Sequence, residues 1–117
     1  MSKYLRFEEL DVWKDAMCLS KNVYAVLKDC KDYDLKSQMQ RAAISVPSNI
    51  AEGYECKGTK ETEHFLYIAK GSCGELCTQL YLATDLGYIE QLVGHRLIAE
   101  TVELSIKTYR YAQSLSK

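Results

Sequence analysis

Gln38–Gly53 reads QMQRAAISVPSNIAEG and decides how the rest of the chain is understood. With Leu35 just upstream, Met39, Ala42, Ala43, Val46 and Ile50 recur at three-and-four spacing and mark one face of a helix. Gln38, Arg41, Ser45, Asn49 and Glu52 form a polar line directly beside that face. Pro47 falls inside the run, where it removes the amide that would bond the carbonyl of Ala43 and crowds that turn, at about 3 kcal/mol, so a kinked helix is predicted. The polar line reads either as the solvated edge of a core helix or as a buried network between helices or subunits. In the second case Arg41 bonds Ser45, Asn49 reaches Glu52, and Glu75 is the expected outside partner of Arg41.

Similar periods flank this segment on both sides. Proline occurs once and no alternating β-branched run reaches strand length, so an all-α chain of four helices is predicted. The first helix is expected from about Glu9 to Cys30, with Leu10, Trp13, Met17, Ser20, Tyr24 and Leu27 facing inward. Asp34 is the expected cap of the second helix, which carries the signature segment and leaves through a left-handed glycine between Gly53 and Gly58. Thr59 is the expected cap of a third helix over about Lys60–Leu86, stopped by Gly87. Gly71, Ser72 and Gly74 thin its middle, and close approach of another backbone is the expected compensation. A fourth helix starts near Ile89 or Glu90 and reaches Ser116, with Val102, Ile106 and Tyr109 widening its apolar face. Short connections then give an up-down-up-down antiparallel four-helix bundle in one domain spanning 1–117.

The chain has 117 residues, 47% of them hydrophobic, enough for a core that needs neither disulfide nor metal. A formal charge of −1 means that any contact with nucleic acid must come from a local patch. Five cysteines, an odd number without C-x-x-C spacing, suit a reducing compartment. Neither a membrane-length apolar run nor a secretory leader is visible, so a soluble cytoplasmic protein is expected.

Catalytic patterns are thin. Glu61-Thr62-Glu63-His64 contains one E-x-x-H step, but a di-iron bundle needs two, and His95 has no glutamate three residues before it. Cys73 and Cys77 share a helical face and read as buried apolar residues. The glycine spacings match no phosphate loop, and Gly71-Ser72-Cys73-Gly74 lacks the strand-turn-helix setting of a nucleophile elbow. No enzymatic activity, cofactor or metal is therefore expected.

Gln38, Arg41-Ala42-Ala43, Ser45 and Asn49-Ile50-Ala51-Glu52-Gly53 resemble the signature of the small four-helix-bundle proteins of the 23S ribosomal RNA intervening-sequence group. Leu10-Asp11-Val12-Trp13 resembles that family's opening helix. Phe65-Leu66-Tyr67-Ile68-Ala69-Lys70-Gly71-Ser72, with Glu75-Leu76, resembles its third. The resemblance implies a bundle that assembles as a pentameric ring with no known catalysis. A related branch serves diversity-generating retroelements, for which it implies binding to RNA or DNA and to a reverse transcriptase.

The residues add two candidate contact regions. Lys14, Lys21 and Lys28 recur every seven positions, a spacing that lays a positive stripe over about 21 Å of a helix. Lys107 and Arg110, with Tyr109 and Tyr111, make a second basic and aromatic cluster. Nine tyrosines need places that bury a ring and keep a hydroxyl wet, which a subunit boundary supplies. The expectation is a ring-forming scaffold that binds nucleic acid or a nucleoprotein. The alternative, favoured by the slight acidic balance, is a structural or protein-binding adaptor.

Overall fold

The computed structural model describes residues 6–116. A short 3-10 turn, Phe7–Glu9, leads into four helices: α1 Asp11–Val26, α2 Tyr33–Glu55, α3 Thr59–Asp85 and α4 Gln91–Leu115. Each helix packs on its neighbours in the chain, and α1 also packs on α4. Among the described residues the backbones of α1 and α3 do not come close, nor do those of α2 and α4, so the helices stand at the corners of a square and enclose one core. The all-α expectation holds.

On α2 the whole predicted apolar face is buried, from Leu35 through Met39, Ala42, Ala43 and Val46 to Ile50. The helix runs unbroken through Pro47. The carbonyl of Ala43, which the proline leaves without its amide, accepts a buried hydrogen bond from Ser20 Oγ of α1 at 2.8 Å. Thus the local defect in α2 is repaired by its neighbour.

The face of α1 differs from expectation. Its core line is Val12, Ala16, Leu19 and Val23, continued by Leu27 beyond the helix end, whereas Trp13 and Met17 are half-buried and Tyr24 is exposed. The small Ala16 lets this line sit against the other helices, and the bulky residues roll to the α1–α2 boundary. α1 also stops at Val26, short of the expected Cys30. Leu27 leaves helical geometry at φ −94° and ψ 2°, and the amides of Lys28 and Cys30 bond the carbonyls of Ala25 and Leu27 in tight turns.

Other boundaries shift for local reasons. The cap of α2 is Asp32, whose Oδ1 accepts the Leu35 amide at 3.2 Å, in place of Asp34. Gly58 occupies the cap position of α3 in extended geometry, and Thr59 is the first helical residue. α2 ends at Glu55 with Cys56 extended at φ −74°, so its exit is not a left-handed glycine. The left-handed position is Gly87 at φ 80°, where the amides of Gly87 and Tyr88 bond the carbonyls of Thr84 and Ala83 and close α3 as a Schellman motif. Glu90 then caps α4 by accepting the Leu92 and Val93 amides.

The close approaches fall on different glycines from those expected. A Cβ on Gly53 would stand 3.0 Å from Phe65 Cβ, and one on Gly94 would stand 2.9 Å from Thr84 Cγ2. Gly71 and Gly74 have nothing within 4 Å of such a Cβ and face outward. Among the described residues, no backbone compensates for them.

Candidate functional site

Two of the square's faces carry the features relevant to binding, and they lie on opposite sides. The first is the α1–α2 face. Trp13, Met17, Ser20 and Tyr24 of α1 and Ile44, Pro47, Ser48 and Ala51 of α2 line a groove of about 590 Å³. The Ser20 hydroxyl and the Pro47 ring that shape the Ala43 repair are both part of its wall. Lys21 is its one charged lining residue. A second depression of about 310 Å³ continues over the outer side of α1, lined by Trp13, Lys14, Met17, Cys18, Lys21 and Asn22. Neither depression has an acid in its wall. Phe7 packs edge-on against Trp13 at 5.5 Å and fixes the indole at the groove's end.

Lys14 and Lys21 are exposed on α1, and among the described residues neither has an ion-pair partner. Lys28 is also exposed but lies in the turn after α1, so the stripe of three lysines is two residues of helix followed by one of connecting chain. The Lys28 carbonyl accepts from Lys36 Nζ at 3.3 Å, which brings a further cation to the turn between α1 and α2.

The remaining predicted contacts separate. Lys107 reaches across from α4 to Asp15 of α1 at 2.8 Å, and this bond raises the Lys107 pKa above its usual value. It borders a small cleft with Asp15, Glu100 and Glu103, a setting that disfavours phosphate. Arg110 is exposed at the outer edge of α4, beside Val102 and Ile106.

The second face belongs to α3 and α4. Tyr67, Val102, Ile106 and Tyr109 are 41, 45, 45 and 43% exposed there, far more than apolar side chains covered by a bundle core. Tyr67 and Tyr109 meet edge-on at 6.3 Å, and Lys70 Nζ lies 5.9 Å from the Tyr109 ring centre. Cys73, Gly74 and Cys77 meet Thr101, Val102, Ser105 and Ile106 in a shallow depression between the two helices. Burial pushes the Cys73 thiol up to about 12 and raises that of Cys77, so neither is poised as a nucleophile near neutral pH.

The polar line of α2 divides as well. Ser45 Oγ lies 2.8 Å from Ser72 Oγ of α3, and Asn49 Nδ2 donates to the carbonyl and hydroxyl of Ser45 at 2.8 and 2.9 Å. That trio joins α2 to α3. Arg41 is exposed and donates to Ser37 Oγ at 3.0 Å, not to Ser45, because its side chain follows the outer surface of α2. Glu52 and Glu75 are exposed, and no ion pair joins Glu75 to Arg41 among the described residues. Sequence reasoning missed Ser20 and Ser72 as partners, since both look like ordinary small residues on an apolar face. No helix among the described residues is long and apolar enough to cross a membrane.

A four-helix chain with this α2 signature and two contrasting outer faces defines a small helical-bundle protein. The family model described as 23S rRNA-intervening sequence protein matches residues 8–110, and the chain belongs to that family. No curated protein matches it individually.

Proposed function

We propose that the protein is a non-enzymatic, cytoplasmic scaffold whose up-down-up-down bundles assemble into a ring, of five subunits as the family resemblance implies, and that the ring binds nucleic acid or a nucleoprotein. The observation that carries this reading is the contrast between the two opposite faces. An apolar, tyrosine-rich α3–α4 face suits contact with a second copy, and an α1–α2 groove whose walls hold lysine but no acid suits phosphate. Antiparallel helix order is supported by the pairs Ser45–Ser72 and Gly53–Thr62, in which a later residue of α2 meets an earlier residue of α3. A ring also multiplies each lysine rim, converting weak single contacts into avidity.

Size exclusion with light scattering tests the assembly. A stable oligomer of one size is expected, and Ile106→Glu should reduce it to smaller species. A monomer at micromolar concentration refutes the ring. Binding of labelled RNA and DNA at several salt concentrations tests the partner, with affinity expected to fall steeply as salt rises. An oligomer that binds neither at low salt is the adaptor, the reading favoured by the net charge of −1.

A further inference from the structure

We propose that the α1–α2 groove takes a single nucleic-acid strand, with bases stacked on Trp13 and Tyr24 and phosphates held by Lys14 and Lys21. This rests on the nucleic-acid reading above and assigns it a place and a form of ligand.

The first support is charge. In a chain with 16 acidic and 15 basic residues, the groove and the depression beside it contain lysines as their only charged lining groups. Of the two acids on α1, Asp15 is turned to Lys107 and paired there, and Asp11 in the first turn lies outside both linings. The local surface is therefore complementary to a polyanion although the whole protein is not.

The second support is the form of the groove. Apart from Lys21, Ser20 and Ser48 its wall is apolar, and it holds two aromatic side chains, Trp13 and the 41% exposed Tyr24. A duplex keeps its bases stacked inside and offers such a wall nothing but phosphate and sugar, whereas a single strand presents base faces to aromatic rings and phosphates to a basic rim. Lys14 and Lys21 are separated by about 10 Å along the helix axis. That matches the rise of three stacked nucleotides at about 3.4 Å each.

Trp13 is the one tryptophan of the chain, so its emission reports on the groove directly. Titration of the intact protein with a 15-nucleotide oligouridylate at low salt should quench that emission saturably, and a duplex of equal length should bind more weakly. Tyr24→Ala should weaken strand binding about tenfold or more. Lys14→Gln with Lys21→Gln should lower the slope of log affinity against log salt by about 1.4. Circular dichroism of each variant confirms that it is folded. If a labelled strand binds but Trp13 emission and the Tyr24→Ala affinity are unchanged, the strand lies elsewhere and this inference fails while the broader reading stands. If no strand binds at low salt, both fail. If Trp13 becomes shielded from acrylamide as protein concentration rises without oligonucleotide, the groove belongs to a second copy and the inference is overturned.

Discussion

Ser20 Oγ on α1 donates at 2.8 Å to the carbonyl of Ala43 on α2, the acceptor that Pro47 deprives of its helical amide. The bond is buried, so its loss strands a carbonyl away from water. Ser20→Ala is expected to cost about 1–3 kcal/mol in chemical denaturation. Pro47→Ala returns an amide to the same carbonyl, and its effect should be more favourable in the Ser20→Ala background than in the wild type. A double-mutant cycle measures that difference, and a coupling near zero would show that the carbonyl is satisfied in some other way.

The helix glycines should respond in opposite directions. Gly94→Ala places a methyl against Thr84, whose Oγ1 is already committed to the Leu80 carbonyl at 2.7 Å. Overpacking of about 1–3 kcal/mol should outweigh a helix-propensity gain of up to about 1 kcal/mol. Gly71→Ala and Gly74→Ala meet open space in a single chain and should gain about 0.5–1 kcal/mol each. Thermal denaturation supplies the ranking. A loss of assembly in either outward-facing variant would locate a subunit contact at that glycine.

How much of this was legible in the sequence depends on the range of the interaction. Every residue of the predicted apolar line of α2 is buried, because burial on a long helix repeats with the helix itself, and Pro47 and Gly53 join it. The same reasoning misplaced α1: Trp13, Met17 and Tyr24 are as periodic as Val12, Ala16, Leu19 and Val23, and only the packing of neighbours decides which line turns inward. The caps Asp32 and Gly58 were missed by a residue or two because several candidate cap residues stand in each connection. Ser20–Ala43 and Ser45–Ser72 join residues distant in sequence, so they depend on helix rotation and register that no local pattern encodes.

Arg41 and Ser72 test the revised polar line. Arg41 is exposed with a single bond to Ser37, so Arg41→Met should cost well under about 1 kcal/mol of stability, much less than the loss of a buried charge. Ser72→Ala removes the α2–α3 hydroxyl contact and should cost about 0.5–1.5 kcal/mol. Urea denaturation of the two variants compares them. The reverse order would mean that Arg41 is covered in the assembled protein.

Alkaline pH should destabilise the fold. Burial raises the Cys73 thiol from 9.0 to about 12, so the unfolded chain loses that proton first, and the contribution of the neutral thiol declines as pH climbs through this window. Lys107 acts in the same direction, since its stability contribution is present below 10.5 and is lost as pH rises through its elevated pKa. Denaturation midpoints should fall between about pH 9 and pH 12, and Cys73→Ala should make that fall shallower. At pH 8 a thiol reagent should modify the exposed Cys18 well before the buried Cys73.

The Asp32 carboxylate serves two connections at once: Oδ1 caps α2, and Oδ2 accepts from the Tyr88 hydroxyl at 3.2 Å in the turn between α3 and α4. One side chain thereby clasps both hairpin bends at the same end of the molecule. Fraying should consequently be uneven, with amide hydrogens around Asp32 and Tyr88 exchanging together and Asp32→Ala releasing both bends in one step. Two segments far apart in the chain would then open as a single cooperative unit.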